Sequence, residues 1–423
     1  MPVADARQLA PEYVFDLRVE TARLQIVVGI THPQTCLTLT GRLRALREAG
    51  FRVTLICGPG DLLERTSARE GVEAIAVPMR REIAPIADLI SLVRLWRLLR
   101  RLKPDLTEFS TPKAGLLGNI AARLAGVPRR IYMLRGLKLE RSNGLKRWLL
   151  LTAERVTASC AHVVLCNSAS LRAEALALGV APAEKLHLLG EGSSNGVDVE
   201  RFSPGRSGVR RKLGIRGDAP LVGFVGRLTR DKGVPELIDA FDMILAEVPD
   251  ARLLLVGWFD FAEDALSEEL QARIKAHPQI HLTGFVEDTA PYYRAMDVMV
   301  LPTWREGFPN VVLEAAATGI PVVTTIATGS RDSVVPEVTG LLIPPGYPEA
   351  ISEAVLGLLS NPERRRRMGK AARVWVLEHF VDERVLALAR DYYMSLLYPR
   401  TDGKAEGARI RALAEPQPCR EAH

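Results

Sequence analysis

The sequence predicts an α/β protein made of two successive doubly wound domains of similar size. Short apolar runs of strand length alternate with longer amphipathic stretches along most of the chain, the pattern of crossover units around parallel sheets. Midway, residues 190–217 turn rich in Gly, Ser, Pro and charge, as in Gly192-Ser193-Ser194-Asn195-Gly196 and Ser203-Pro204-Gly205, which is the texture of a domain boundary. The alternation then restarts at Leu221-Val222-Gly223-Phe224-Val225-Gly226. At 423 residues the chain is also too long for one ordinary core.

Residues 1–22 show no strong period and stay unassigned. Residues 24–28 form an apolar strand ending at Gly29, followed by a helix over 38–48 and a strand over 53–56, a βαβ opening. Gly58-Pro59-Gly60 is not a dinucleotide loop: Leu63 stands where the third glycine is needed, and the run does not follow the first strand. A strand at 74–77 leads to an amphipathic helix at 88–102. There Leu92, Leu95, Trp96 and Leu99 share one face, Arg94, Arg97 and Arg101 the other, and Pro104 stops it. A strand at 105–109 opens onto the loop 110–115 and a helix of small residues through Ala125. Strands at 130–133 and 162–166 flank a basic amphipathic stretch at 138–151. In the second half, strands fall at 253–256, 280–282, 298–301, 321–324 and 341–343. The tail after Pro399 is polar, charged and expected to be disordered.

Composition, 47% hydrophobic and 25% charged, is that of a soluble globular protein. No apolar run is long enough to span a bilayer, and the first 20 residues lack the apolar centre of a signal peptide. A cytoplasmic location is the resulting expectation. Five cysteines with no C-x-x-C pair argue against a disulfide framework and a zinc site, leaving buried thiols. The net charge is +6, and the excess is uneven. Residues 80–103 and 135–155 are basic runs that either face an anionic partner or form ordinary solvated helix faces.

Two stretches hold the chemistry. Glu306-Gly307-Phe308-Pro309-Asn310-Val311-Val312-Leu313-Glu314 runs from the carboxyl end of a strand into a helix. Pro309 suits the first helical position, Gly319 the C′ position. Ligands bind at that edge of an open α/β sheet, and the free amides near Asn310, Val311 and Val312 form an anion site. Gly223 to Gly233 follows the first strand of the second half and places Arg227 and Lys232 in one loop, two cations suited to a diphosphate. Alone, that loop reads equally as a surface turn with solvated charges. Together, cations, a helix N-terminus and two carboxylates read as a binder of a sugar–diphosphate. The carboxylates repel phosphate but accept hydrogen bonds from sugar hydroxyls.

At these residues the chain resembles the retaining GT-B glycosyltransferases of family 4, the type that builds exopolysaccharide and O-antigen. The resemblance rests on Gly226-Arg227-Leu228 with Lys232-Gly233, the Glu306-x7-Glu314 pair, Gly284-Phe285-Val286, Gly340-Leu341-Leu342-Ile343-Pro344 and Asn361-Pro362-Glu363-Arg364. In the first half it rests on Thr111-Pro112-Lys113-Ala114-Gly115-Leu116-Leu117-Gly118, and it covers residues 24–398. It implies a GT-B fold, two Rossmann-like domains facing across a deep cleft. Residues 1–200, completed by a crossover helix at about 380–398, would form the acceptor domain, 201–379 the donor domain, and 399–423 a tail. It implies that Arg227 and Lys232 bind the donor diphosphate and stabilise the leaving nucleotide, beside Gly226. Glu306 and the amides of Gly307 and Phe308 would hold the donor sugar, with Asn310 and Val311 at the helix N-terminus. Glu314 would hold the ribose, and Val286 would lie near the base. The family uses no essential metal and no resident cofactor, and this chain carries no D-x-D signature. Glu306 is therefore not read as a nucleophile.

The chain departs from many relatives in its first half, with Thr31-His32-Pro33-Gln34-Thr35 where a Gly-Gly pair is common, and Glu108-Phe109-Ser110 where histidines are. His32, Lys113 and Arg135 are the acceptor-side candidates. The leading expectation is transfer from a nucleotide-diphosphate-sugar, a UDP-sugar on family grounds, to a saccharide acceptor carried on a lipid. The partners would be that donor, that acceptor and an anionic membrane surface met by Arg94, Arg97, Arg101, Lys146, Arg147 and Trp148; nucleic acid is not among them. The protein would then sit peripherally at the cytoplasmic face of the membrane. A nucleotide-sugar epimerase of the same architecture is the second reading, and a non-catalytic saccharide-binding protein the third. Domain closure is expected to hinge near 196–206 and 378–383.

Overall fold

The computed structural model describes residues 24–260 and 264–398; the expected tail and Cys419 lie outside them. Among the described residues, thirteen strands form two wholly parallel sheets. The first contains β1 (Gln25–Gly29), β2 (Arg52–Cys57), β3 (Glu73–Ala76), β4 (Leu106–Ser110), β5 (Arg129–Leu134), β6 (Val163–Cys166) and β7 (Leu186–Leu188), in the order 3-2-1-4-5-6-7. The second contains β8 (Leu221–Val225), β9 (Arg252–Val256), β10 (Ile280–Leu282), β11 (Val298–Leu301), β12 (Val322–Thr325) and β13 (Gly340–Ile343), in the order 10-9-8-11-12-13. Each order reverses once, between β1 and β4 and between β8 and β11. Those switch points are where an open sheet leaves a crevice for ligands.

The strands are near-continuous apolar runs because helices cover both faces of each sheet. Every residue of β1, β4 and β8 is buried. Phe109 of β4 shows how tightly helix and sheet meet. A Cβ at Gly29 would lie 2.1 Å from its ring, and one at Gly118 would lie 2.2 Å away. Only glycine fits on either side of that ring.

Local details differ from the sequence expectation. The helix expected at 38–48 is a 3₁₀ turn, Pro33–Leu39, then an α-helix, Arg42–Glu48. Gly41, at φ 77°, separates them. The stretch 138–151 likewise divides into a 3₁₀ turn, Lys138–Arg141, and the helix Gly144–Cys160. Pro309 is the N-cap rather than the first helical residue, because its ψ of 101° is extended, so the helix runs Asn310–Ala317. Gly319 does occupy the C′ position, with φ 80°. Strand β7, only three residues long, was not expected.

The chain passes between the sheets twice, and the two crossings are laced together. Val197 N–H donates to Phe380 O at 2.8 Å and Asp382 N–H to Val197 O at 3.1 Å. Gly196 permits this approach: its φ is 68°, and a Cβ would lie 2.6 Å from Phe380 O. After the second crossing the helix Asp382–Leu397 returns to the first sheet, where Tyr392 and Tyr393 pack among Ile26, Val28 and Leu43.

Candidate functional site

The second switch point is assembled from the loops after β8 and β11, and Asp231 ties them together. Its main-chain oxygen accepts from Trp304 N–H at 2.9 Å and from the Thr303 hydroxyl at 3.1 Å. One carboxylate oxygen accepts from Thr229 Oγ1 at 2.7 Å, the other from Arg305 Nη2 at 3.1 Å. Burial works against the Asp231 charge, but Lys232, the Thr229 hydroxyl, Arg305 and Arg227 together hold its carboxyl below the usual range. Gly233, at φ 72°, lets the chain turn against Pro302, whose oxygen would lie 2.0 Å from a Cβ. The result places Lys232 Nζ against Glu306 Oε1 in a direct ion pair.

Arg227, after Gly226, reaches the other way and donates through Nη1 to Asp260 Oδ2. Both cations of the predicted diphosphate site are thus matched with carboxylates. Glu314, about one turn into the Asn310–Ala317 helix rather than the two expected, accepts from the buried Tyr293 hydroxyl at 2.8 Å. Burial pushes the Glu314 carboxyl up to about 7, against the opposing pull of Tyr293 and Arg201. Phe308 is buried and tucks its ring against Phe380, ring centroids 5.3 Å apart. Asn310 Oδ1 accepts from the Ser193 hydroxyl of the crossing segment at 3.0 Å, while the side chain of Val311 joins the core. Val286 is half-buried and packs on the core of the second domain, and the preceding Phe285 meets Trp258 edge to face, ring centroids 5.5 Å apart. Phe285 is 52% exposed. Sequence reasoning gave no role to Asp231, Asp260, Tyr293 or Trp258. Asp231 stood in the quoted loop; the others meet their partners only through the fold.

The first switch point is chemically quieter. Thr31 and Thr111 share a hydroxyl–hydroxyl bond of 2.6 Å, and Thr31 Oγ1 also accepts from Ala114 N–H at 3.0 Å. His32 caps the 3₁₀ turn, its Nδ1 accepting from Gln34 N–H at 3.3 Å. Burial lowers its pKa, Arg81 adds to this, and Asp260 across the cleft opposes it. Lys113 is held by Asp88 in an ion pair. Arg135, at the end of β5, donates through Nη1 to Ser194 Oγ at 2.9 Å. The structure therefore brings Arg135 to the second domain's loop: a Cβ on Gly307 would lie 2.4 Å from Arg135 O. Beneath it, Arg42 and Glu108 form a fully buried ion pair of 2.7 Å.

Among the described residues no group of three or more His, Cys, Asp and Glu side chains is placed to hold a metal ion. The four described cysteines are buried and form no disulfide. No described helix is long and apolar enough to cross a membrane.

Residues 219–361 match the family described as "Glycosyl transferases group 1", and residues 39–192 match the "Glycosyl transferase 4-like domain". The chain is 33% identical to the capsular polysaccharide biosynthesis glycosyltransferase CapM of Staphylococcus aureus, over 86% of this chain and 95% of that protein. It belongs to the group 1 glycosyltransferases. It is also 30% identical to the UDP-Gal:alpha-D-GlcNAc-diphosphoundecaprenol alpha-1,3-galactosyltransferase of Escherichia coli, over 75% of this chain and 84% of that one. Among solved structures it resembles Anabaena HepE in complex with UDP, with TM-score 0.73 at 20% identity, covering 88% of this chain and all of the other. The sucrose-phosphate synthase of Thermosynechococcus elongatus matches with TM-score 0.74 at 22% identity, over 89% of this glycosyltransferase chain and 100% of that chain. The two sheets of this group 1 glycosyltransferase form a GT-B fold.

Proposed function

We propose that the protein transfers a sugar, with retention of anomeric configuration, from a UDP-sugar to a lipid-linked saccharide in the assembly of a capsule, exopolysaccharide or O-antigen. The observation that carries this reading is the Lys232–Glu306 pair, held between two laced loops at the second switch point. An arriving diphosphate competes with the two carboxylates for Lys232 and Arg227. Lys232 then turns from Glu306 to the phosphates, and Glu306 is left to accept hydrogen bonds from donor-sugar hydroxyls. The amides of Gly307 and Phe308 add donors to the sugar. Those at the start of the Asn310–Ala317 helix, Asn310 and Val311, face the anion. Glu314 meets the ribose, and the base lies against Val286 and the Trp258–Phe285 pair.

The chemistry follows from that arrangement. Charge develops on the leaving diphosphate as the glycosidic bond breaks, and two preorganised cations stabilise it without a metal ion. The acceptor hydroxyl attacks from the face the nucleotide leaves, which gives retention, and Glu306 acts by positioning. The E. coli relative named for a UDP-Gal donor and a diphosphoundecaprenol-linked acceptor supports this donor and acceptor class.

A membrane surface supplies such an acceptor. The first turns of the helices Pro85–Leu102 and Gly144–Cys160 lie at the strand-carboxyl edge of the first sheet. They expose Ile86 (80%), Leu89, Leu145 (72%) and Trp148. Arg94, Arg97, Lys146 and the more sheltered Arg147 stand on the same helices, so apolar insertion and attraction to anionic lipid act together. The protein would thus work peripherally at the cytoplasmic leaflet. Co-sedimentation with phosphatidylglycerol vesicles is expected and should fall for Ile86→Glu with Trp148→Glu; equal pelleting with neutral vesicles would contradict it. The transfer itself is tested by NMR of the product from an α-linked UDP-sugar and a polyprenyl-diphosphate-linked sugar. An α-linked product is expected. A β-linked product would overturn retention, and sugar epimerised without acceptor would overturn transfer.

A further inference from the structure

Arg135 carries an unused hydrogen-bonding edge where the loops of the two domains meet. Its Nη1 is anchored on Ser194 Oγ. Nε and Nη2 are shielded from solvent and find no hydrogen-bond partner among the described residues. Those two N–H groups are the side-on edge of the guanidinium, two parallel donors that match two oxygens of one phosphate. The edge is not consumed by its neighbours. Glu108, the nearby carboxylate, is engaged through Oε2 by Arg42 Nη2 at 2.7 Å, and its Oε1 accepts from no described residue. Arg42 is itself fixed by Ser194 O at 2.7 Å and the Tyr393 hydroxyl at 2.6 Å. Two arginines and one glutamate leave one net positive charge buried where Arg135 and Gly136 meet Glu306 and Gly307. Burial and Arg42 both push the Arg135 pKa down, to about 10, with Glu108 opposing; at neutral pH the group stays charged. A buried charge with the three N–H donors of Nε and Nη2 unmatched is costly unless an anion completes it.

We propose that the Nε–Nη2 edge of Arg135 receives a phosphate of a bound substrate. The phosphate comes either from the donor's diphosphate or from the phosphate that links an acceptor sugar to its lipid. The inference rests on the reading of the cleft as a nucleotide-sugar site. It adds a specificity residue on the opposite domain, so that one anion is gripped from both sides as the cleft closes.

Calorimetric titration separates the sources, using UDP as first probe and glucose 1-phosphate, titrated into UDP-saturated protein, as second. In Arg135→Gln, binding of one probe is expected to weaken roughly tenfold or more, the loss of one charge-assisted pair. Weakened UDP binding assigns the edge to the donor. Unchanged UDP binding with lost glucose 1-phosphate binding assigns it to the acceptor. If both probes behave as in the wild type, the proposal is overturned. Arg135→Lys, which keeps the charge but not the fork, should fall between the two, and it decides the matter if Arg135→Gln does not fold. Failure of the wild type to bind UDP would instead strike at the proposed function.

Discussion

The two sheets share one strand order, yet their switch points are furnished in opposite ways. In the second, half-buried pairs face the cleft, Lys232 with Glu306 and Arg227 with Asp260, on loops laced together by the buried Asp231, which pairs with Arg305. In the first, hydroxyls line the edge at Thr31 and Thr111, Lys113 is paired with Asp88, the Arg42–Glu108 pair is fully buried beneath, and Arg135 turns to the second domain's loop. Half-buried ion pairs on loops can exchange partners with a charged ligand, because the ligand replaces the charge that is displaced. A fully buried pair cannot, because separating it strands a charge in low dielectric. The second switch point thus carries pairs that can exchange partners, while the first is held in shape by a pair that cannot.

Four changes probe that contrast. The largest effect is expected on stability from Arg42→Ala, which leaves Glu108 buried and unmatched and should cost on the order of 3–5 kcal/mol. Denaturant unfolding measures it, and a loss under about 1 kcal/mol would put that pair in the exchangeable class. Lys232→Ala should do the reverse. It is expected to lower turnover by roughly 10²–10³-fold with little change in the unfolding midpoint, and turnover within about threefold of wild type would remove Lys232 from the machinery.

Glu314→Gln should show a smaller, pH-dependent effect. The folded pKa of Glu314, about 7, is raised from 4.5, so its contribution to stability is full below pH 4.5 and is lost as pH rises through 7. The variant should gain on the wild type between pH 5 and 8, by about 1–2 kcal/mol. Thermal unfolding across that range tests this, and a constant offset would contradict it. Glu154, also raised to about 7 by burial beside Tyr132, keeps a residual slope in both proteins. Smallest of all, EDTA should leave turnover within about twofold of control if Arg227 and Lys232 carry the leaving-group charge.

The same contrast explains what was legible in the sequence. Gly226, Arg227, Lys232, Glu306 and Glu314 lie in two short segments whose strand–loop–helix context can be read locally. So can most strands, because a strand covered on both faces is a plain apolar run. The ties that position those residues are not local. Tyr293 reaches Glu314 across 21 residues, and Arg42 meets Glu108 and Tyr393 across 66 and 351. Nothing in the spacing of Arg42, Glu108 and Tyr393 signals that they meet. Strand β7 has too few residues to show a period, and Pro309 lay one position off because its ψ, not its φ, decides where the helix begins. The edge of the first sheet was the less legible one because its polar groups are buried contacts rather than a contiguous motif.

The most direct test of the central claim is calorimetric binding of UDP to the wild type, Arg227→Ala with Lys232→Ala, and Thr31→Ala. The claim is that the β8–β11 switch point holds the donor diphosphate. UDP should bind the wild type and Thr31→Ala alike, and bind the double variant at least roughly a hundredfold more weakly, two charge-assisted contacts being lost. Wild-type affinity in the double variant, or a loss confined to Thr31→Ala, would place the diphosphate at the other switch point and contradict the account.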